Sequence, residues 1–275
     1  MAMCCILDSM CEEIGARFYK ILVFSSLRGK NMGIKQFIAA VLMCVGLNMI
    51  LNAADSIESS ESNQATDIQT TIKACDGGDA KACDDLGALY VNGREVKQDW
   101  TKSFNFFLKG CNLNYMESCL EVGYIYYDGK APKKDFAKAR EYFLKACNGK
   151  AYFACYKLGD MYYEGQGVKK DYAKAREYYT KACDGDVYQA CANLSYYIYV
   201  KAKDVKKDYV KASEYARKAC EGNDAIGCFH LAALYEKGEG VKQSQFKAEL
   251  LYYKSCNLGF DNACDKDKGL NQEGF

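Results

Sequence analysis

The chain has 275 residues, 49% of them apolar by type, which suits one or two ordinary domains or a single repeat array. A net charge of +1 lacks the basic excess of a nucleic-acid surface, so no nucleic-acid partner is expected. Sixteen cysteines exceed what a cytosolic chain carries without metal or redox chemistry, whereas exported proteins use them as staples, and a single proline favours helix throughout.

Residues 1–31 precede Met32 and read as an upstream extension or a start placed too early. Residues 32–54 read as a secretory signal peptide: Lys35, an apolar run from Phe37 to Leu51, then Asn52-Ala53-Ala54, with cleavage near Ala53 or Ala54. The run is shorter than the roughly 20 apolar residues of a transmembrane helix. The expectation is a secreted or periplasmic protein with no stable membrane span in the mature chain. Met43 is too large to precede Cys44 in a lipoprotein box. Residues 55–66 are polar and serine-rich, the composition of a flexible linker.

From residue 67 a repeat takes over. Cys75, Cys111, Cys147, Cys183, Cys220 and Cys256 stand 36, 36, 36, 37 and 36 residues apart, and each is followed eight residues later by Cys83, Cys119, Cys155, Cys191, Cys228 or Cys264. The third repeat shows the unit. A first helix is predicted near Tyr152–Glu164, with Cys155, Leu158, Met161 and Tyr162 at helical spacing. Gly165-Gln166-Gly167 makes a turn. A second helix starts at Asp171, a good N-cap, and runs to about Cys183. Its apolar face holds Tyr172, Ala175, Tyr178 or Tyr179, and Ala182. Its wet face carries Glu177 and Lys181, a pair echoed by Glu141–Lys145 and Glu214–Lys218. Asp184-Gly185-Asp186 is a stop, and Asp184-Gly185 is expected to reverse the chain.

Eight helical residues rise about 12 Å, but a disulfide needs Cα atoms about 5.5 Å apart, so a bond between Cys183 and Cys191 requires that reversal. Such bonds would pin the second helix of one repeat to the first helix of the next. A rival pairing within repeats, Cys83–Cys111 and onward, strands Cys75 and Cys264. The eight-residue scheme strands none and is the expected one, although spacing alone does not fix connectivity. The pairs lack the tight CxxC spacing of zinc sites, so no metal is expected.

Gly87, Gly123, Gly159, Ser195 and Ala232 keep one first-helix position small, which points to a close helix approach. The fourth repeat has Ser195 for glycine and Ile198 where the others carry tyrosine. Its turn, Lys201-Ala202-Lys203-Asp204, is taken to hold one extra residue, and a local change of path is expected. Half-repeats over about 67–75 and 262–268 cap a 67–268 array of five full repeats, leaving 269–275 as a tail.

The unit Leu158-Gly159-x-x-Tyr162-x-x-Gly165-x-Gly167-Val168-x-x-Asp171-x-x-Lys174-Ala175 resembles a Sel1-like repeat, a relative of the tetratricopeptide repeat. With a cysteine pair in each unit, the chain resembles the Helicobacter cysteine-rich protein family. The resemblance implies an all-α fold, a right-handed αα-solenoid, export, and interaction with a protein or peptide. Some members of that family carry β-lactamase or penicillin-binding labels, which adds a β-lactam or a muropeptide as an implied ligand.

No catalytic motif supports that last implication. Ser244-Gln245-Phe246-Lys247 matches SxxK, but SDN and KTG are missing, and the slot reads Asp-x-x-Lys in the other repeats, so Ser244 is expected to cap a helix. His230 is the lone histidine and reads as a packed or surface residue. The Gly-x-Gly turns join helices and do not follow strands, so no phosphate loop and no cofactor are expected. Tyr90, Tyr126, Tyr162 and Tyr235 recur at one slot and are expected to pack in the core. Tyr124, Tyr127, Tyr163, Tyr196 and Tyr197 are less constrained and form the candidate surface for a peptide.

Overall fold

The computed structural model describes residues 67–93, 96–130, 133–201 and 207–272. The upstream extension, the apolar run, its cleavage point, the linker, most of the fourth repeat's turn and residues 273–275 lie outside them. The chain divides into Met1–Thr66 and Asp67–Phe275, and all described residues belong to the second unit.

Among the described residues the secondary structure is helical. α1 spans 67–76. It is followed by α2 (Ala80–Asn92), α3 (Trp100–Asn112), α4 (Met116–Asp128), α5 (Phe136–Asn148), α6 (Tyr152–Glu164) and α7 (Tyr172–Asp184). α8 (Tyr188–Asn193) runs into a π-helix (Leu194–Lys201), and α9 (Tyr209–Glu221), α10 (Ala225–Lys237), α11 (Gln245–Asn257) and α12 (Asp261–Gln272) complete the array. Each helix packs chiefly on its neighbours in sequence, so this is an αα-solenoid with a core running from Phe107 to Leu234 and a smaller cluster at each end. α2, α4, α6, α8 with the π-helix, and α10 are the first helices of the repeats; α3, α5, α7, α9 and α11 are the second.

Two joints repeat along the array. Within a repeat, the backbone N–H of Asp99, Asp135, Asp171, Asp208 or Ser244 donates to the carbonyl of Tyr90, Tyr126, Tyr162, Tyr199 or Tyr235, at 2.9–3.3 Å. The capping side chain then accepts from the N–H three residues on, so the second helix starts with a satisfied donor. Lys102, Lys138, Lys174, Lys211 and Lys247 return over the same tyrosine rings at 5.1–5.9 Å. The Asp-x-x-Lys slot is thus a clamp on the recurring tyrosine as well as a helix start.

Between repeats, six disulfides close the turn: Cys75–Cys83, Cys111–Cys119, Cys147–Cys155, Cys183–Cys191, Cys220–Cys228 and Cys256–Cys264, with Cα atoms 4.4–4.9 Å apart. The chain reverses at the third residue after the first cysteine. Asn114, Lys150, Asp186 and Asn223 adopt φ of 61–72° there, and Gly78 and Gly259 fill the slot at the two ends. This corrects the expectation for Asp184-Gly185: Asp186, not Gly185, takes the left-handed conformation. Gly185 is small for a different reason. A Cβ on Gly149, Gly185 or Gly222 would stand 2.1–2.3 Å from the side chain of Met116, Tyr152 or Tyr188 on the preceding first helix.

The small first-helix slot also has a partner. A Cβ on Gly87, Gly123 or Gly159 would stand 2.5 Å from the ring of Phe107, Phe143 or Tyr179 on the second helix of the same repeat. In the fourth repeat the slot is Ser195 and the corresponding second-helix residue is Ala216, both buried. In the fifth repeat a ring, Tyr252, packs in one cluster with Ala232, so the slot stays small there without being glycine.

The fourth repeat also corrects the sequence reading. Tyr199, not Ile198, fills the recurring tyrosine slot: it stacks on Tyr215 at 5.7 Å, as Tyr162 does on Tyr178 at 5.6 Å. Cys191 to Tyr199 is eight residues, against seven from Cys155 to Tyr162, while the interval from Tyr199 to Asp208 equals that from Tyr162 to Asp171. The extra residue therefore sits inside the first helix, where it forms the π-helix, and not in the turn.

Candidate functional site

The π-helix decides where the candidate tyrosines point. Tyr196 stacks on His230 of α10 with ring centroids 4.6 Å apart, and Tyr197 meets Tyr196 at 5.3 Å and Tyr163 of α6 at 5.1 Å. On the other side His230 contacts Phe229 at 6.2 Å, and Phe229 contacts Phe260 at 5.1 Å. Rings thus touch in series from the third repeat to the loop before α12. π-Helical turns recur at functional sites, and this one holds both Tyr196 and Tyr197.

A cavity of about 360 Å³ opens on this series between the fourth and fifth repeats. Tyr196, Tyr197, Phe229, His230 and Phe260 form its ring walls. Ile226, Ala233 and Leu234 add apolar surface, and Ser195, Lys237, Glu239 and Asn262 supply the polar atoms. Ser195 is buried, and its Oγ has no hydrogen-bond partner among the described residues.

Of the candidate tyrosines, the structure brings Tyr163, Tyr196 and Tyr197 together and leaves Tyr124 and Tyr127 apart. Tyr124 packs edge-on to Phe143 at 5.4 Å, beneath Lys157, and burial pushes its hydroxyl up to about 12. Tyr127 packs on Phe136, and its hydroxyl donates to Gln166 Oε1. Both are fastened within the second and third repeats. His230, Phe229 and Phe260 were missed as site residues. A signal for His230 exists: its slot, two residues after the second cysteine, is polar in the middle repeats, as Glu121, Lys157 and Asn193.

The first helices also carry partly buried carboxylates, Asp84, Glu121 and Asp160, and Asp224 caps the last of them. Asp84 accepts from Ser118 Oγ at 2.7 Å, and Asp160 accepts from the Tyr179 hydroxyl at 2.8 Å. Burial raises the carboxyls of Asp84, Glu121, Asp160 and Asp224, and the charge of Asp84 adds to the shift at Glu121. Smaller cavities of about 240 and 210 Å³ flank Glu121. Among the described residues no group of three or more His, Cys, Asp or Glu side chains could hold a metal ion.

Ser244 Oγ accepts from the backbone N–H of Lys247 at 3.4 Å and starts α11 as the aspartates start the other second helices. The SxxK match is accounted for by that cap. Among the described residues no helix is long and apolar enough to cross a membrane. Six disulfides fit an oxidising compartment outside the cytoplasm.

The chain shares its architecture with solved structures. A protective antigen of uropathogenic Escherichia coli with an SLR fold is 29% identical over 70% of this chain, with a TM-score of 0.67. The chain spans only 41% of that antigen's length. A Sel1 repeat protein from Oxalobacter formigenes is 25% identical over 67% of this chain and 75% of its own, with a TM-score of 0.63. Helicobacter pylori cysteine-rich protein B is 35% identical over 50% of this chain and 98% of its own, with a TM-score of 0.40. No curated protein matches the chain. The sequence profile of the Sel1 repeat matches five times, at residues 80–115, 117–150, 153–187, 189–224 and 225–260, in step with the helix pairs seen in the structure. The chain belongs to the Sel1 repeat family.

Proposed function

We propose that this protein is an exported, disulfide-braced scaffold that holds a peptide, or an extended segment of a partner protein, along its first helices. The observation that carries the reading is the ring series from Tyr163 through Tyr197, Tyr196 and His230 to Phe260, partly exposed and opening on a cavity. Rigid aromatic side chains supply contact area at low entropic cost, which is why they dominate the energetics of binding surfaces. Sel1 repeats are protein-interaction modules as a class, and this surface gives such a module something to grip.

Export rests on the signal-like residues 32–54 and on the disulfides, which persist in oxidising compartments. On this reading cleavage near Ala53 or Ala54 leaves the linker and the 67–268 array in the periplasm or the medium. The β-lactam and muropeptide alternatives gain no support, since the one SxxK match is accounted for by the cap of Ser244 on α11.

The test is selection of a random dodecapeptide library on the oxidised full chain. Enriched peptides should bind saturably and weaken at least about tenfold on Tyr197→Ala, the loss expected of an aromatic anchor. No enrichment, or peptides that bind Tyr197→Ala equally well, would overturn the proposal.

A further inference from the structure

We infer that the cavity between the fourth and fifth repeats is an anchor site for one aromatic side chain of the bound segment, a specificity that rests on the scaffold reading above. Its volume, about 360 Å³, lies at the small end of the roughly 300–1,000 Å³ range in which proteins bury compact ligands. That is room for a side chain and its backbone, not for a folded loop.

The lining selects by chemistry. Tyr196, Tyr197 and Phe260 offer ring faces and edges, which favour another ring over an aliphatic chain through offset and edge-to-face contacts. The charges at the cavity, Lys237 and Glu239, are opposite in sign and give no net field to select an acidic or basic side chain. Lys237 has no ion pair within 4.0 Å among the described residues, and an ammonium near the cavity favours a ring beneath it. Ser195 adds an independent sign of a missing partner, because a buried hydroxyl ordinarily finds a hydrogen bond.

The probe is N-acetyl-tryptophanamide, titrated against the oxidised full chain by ligand-observed NMR beside N-acetyl-leucinamide. The tryptophan amide should bind saturably, and the leucine amide at least about fivefold more weakly. Ala233→Phe, which fills the cavity from α10, should abolish binding while leaving the thermal midpoint near that of the wild type. If that variant unfolds, Ile226→Ala serves, since Ile226 is 43% exposed and lines the cavity. Equal binding of the two amides, or binding untouched by these variants, would overturn the site. Library peptides that bind undiminished by Ala233→Phe would sink the anchor and leave the scaffold standing. Saturable capture of the tryptophan amide with no enriched peptide would do the reverse.

Discussion

The second and third repeats and the fourth and fifth follow one plan, but they spend their residues differently. In the former, Gly123 lies under Phe143 and Gly159 under Tyr179, and seven residues separate the second cysteine from the clamped tyrosine. In the fourth repeat the ring and the glycine are both gone, and an eighth residue has entered the first helix as a π-turn. Both ends of that helix are tied, by the Cys183–Cys191 bond and by the hydrogen bond from Asp208 to Tyr199. An extra residue between two fixed joints is taken up between them, as the π-turn that carries Tyr196 and Tyr197. The irregular repeat meets its neighbour at the cavity of about 360 Å³, to which it contributes Ser195, Tyr196 and Tyr197.

The largest blow to this contrast is Phe143→Ala, which empties the space over Gly123 and should cost about 3–5 kcal/mol in chemical denaturation. In the fourth repeat the ring's place is already taken by Ala216, and Ser195→Ala, at the position of Gly123, deletes only a hydroxyl that has no partner among the described residues and should be neutral or stabilising. A comparable loss at both positions would show that the fourth repeat is packed like its neighbours.

Next in size is removal of a staple. Cys147→Ala with Cys155→Ala should cost about 2–3 kcal/mol for so short a loop. Cys256–Cys264 is the more accessible bond, since both its cysteines are partly exposed while the other ten are buried. Limited dithiol treatment followed by alkylation and mass mapping should label Cys256 and Cys264 first. Simultaneous labelling of all six pairs would mean that the array opens as a whole.

Deleting Tyr197 restores the seven-residue interval. Stability should change by about 1 kcal/mol or less, while capture of N-acetyl-tryptophanamide is lost. Retained capture would separate the π-turn from the cavity.

The smallest effect is electrostatic and belongs to the opposite end. Burial raises the Glu121 carboxyl, so the folded chain keeps that proton to a higher pH than the unfolded chain. The folded state then loses stability as pH rises from the ordinary carboxylate range through the raised value, and regains it as pH falls. Glu121→Gln should therefore raise the thermal midpoint at pH 7, with the gain vanishing near pH 4. Glu236 runs the other way: burial alone would raise it, but hydrogen bonds from Tyr252 and Lys266 outweigh burial and hold it low.

Much of the solenoid was legible because its signals are periodic. The cysteine grid and the Asp-x-x-Lys slot, Ser-x-x-Lys in the fifth repeat, mark both joints of every repeat. The close approach implied by Gly87, Gly123 and Gly159 was readable, but its partner ring was not, since contact across helices leaves no mark in spacing. The misplacement of the fourth repeat's extra residue has a plain cause. The missing glycine near Lys201 drew attention to the turn, whereas the constant distance from tyrosine to cap, read as a ruler, puts the insertion upstream of Tyr199. The pairing of His230 with Tyr196 joins residues 34 positions apart on neighbouring helices, so only three-dimensional packing shows it.

The staples also sort the loops by what a protease could do to them. A cut inside a cysteine-closed turn, at Asp184-Gly185-Asp186 for example, leaves the two sides joined through sulfur, and the molecule migrates as one until a reductant is added. A cut between the first and second helix of one repeat severs the last covalent thread at that point, because no bond bridges that joint. Digestion compared on reducing and non-reducing gels would therefore read out which loops face the solvent, one class by fragments and the other by nicks that stay hidden.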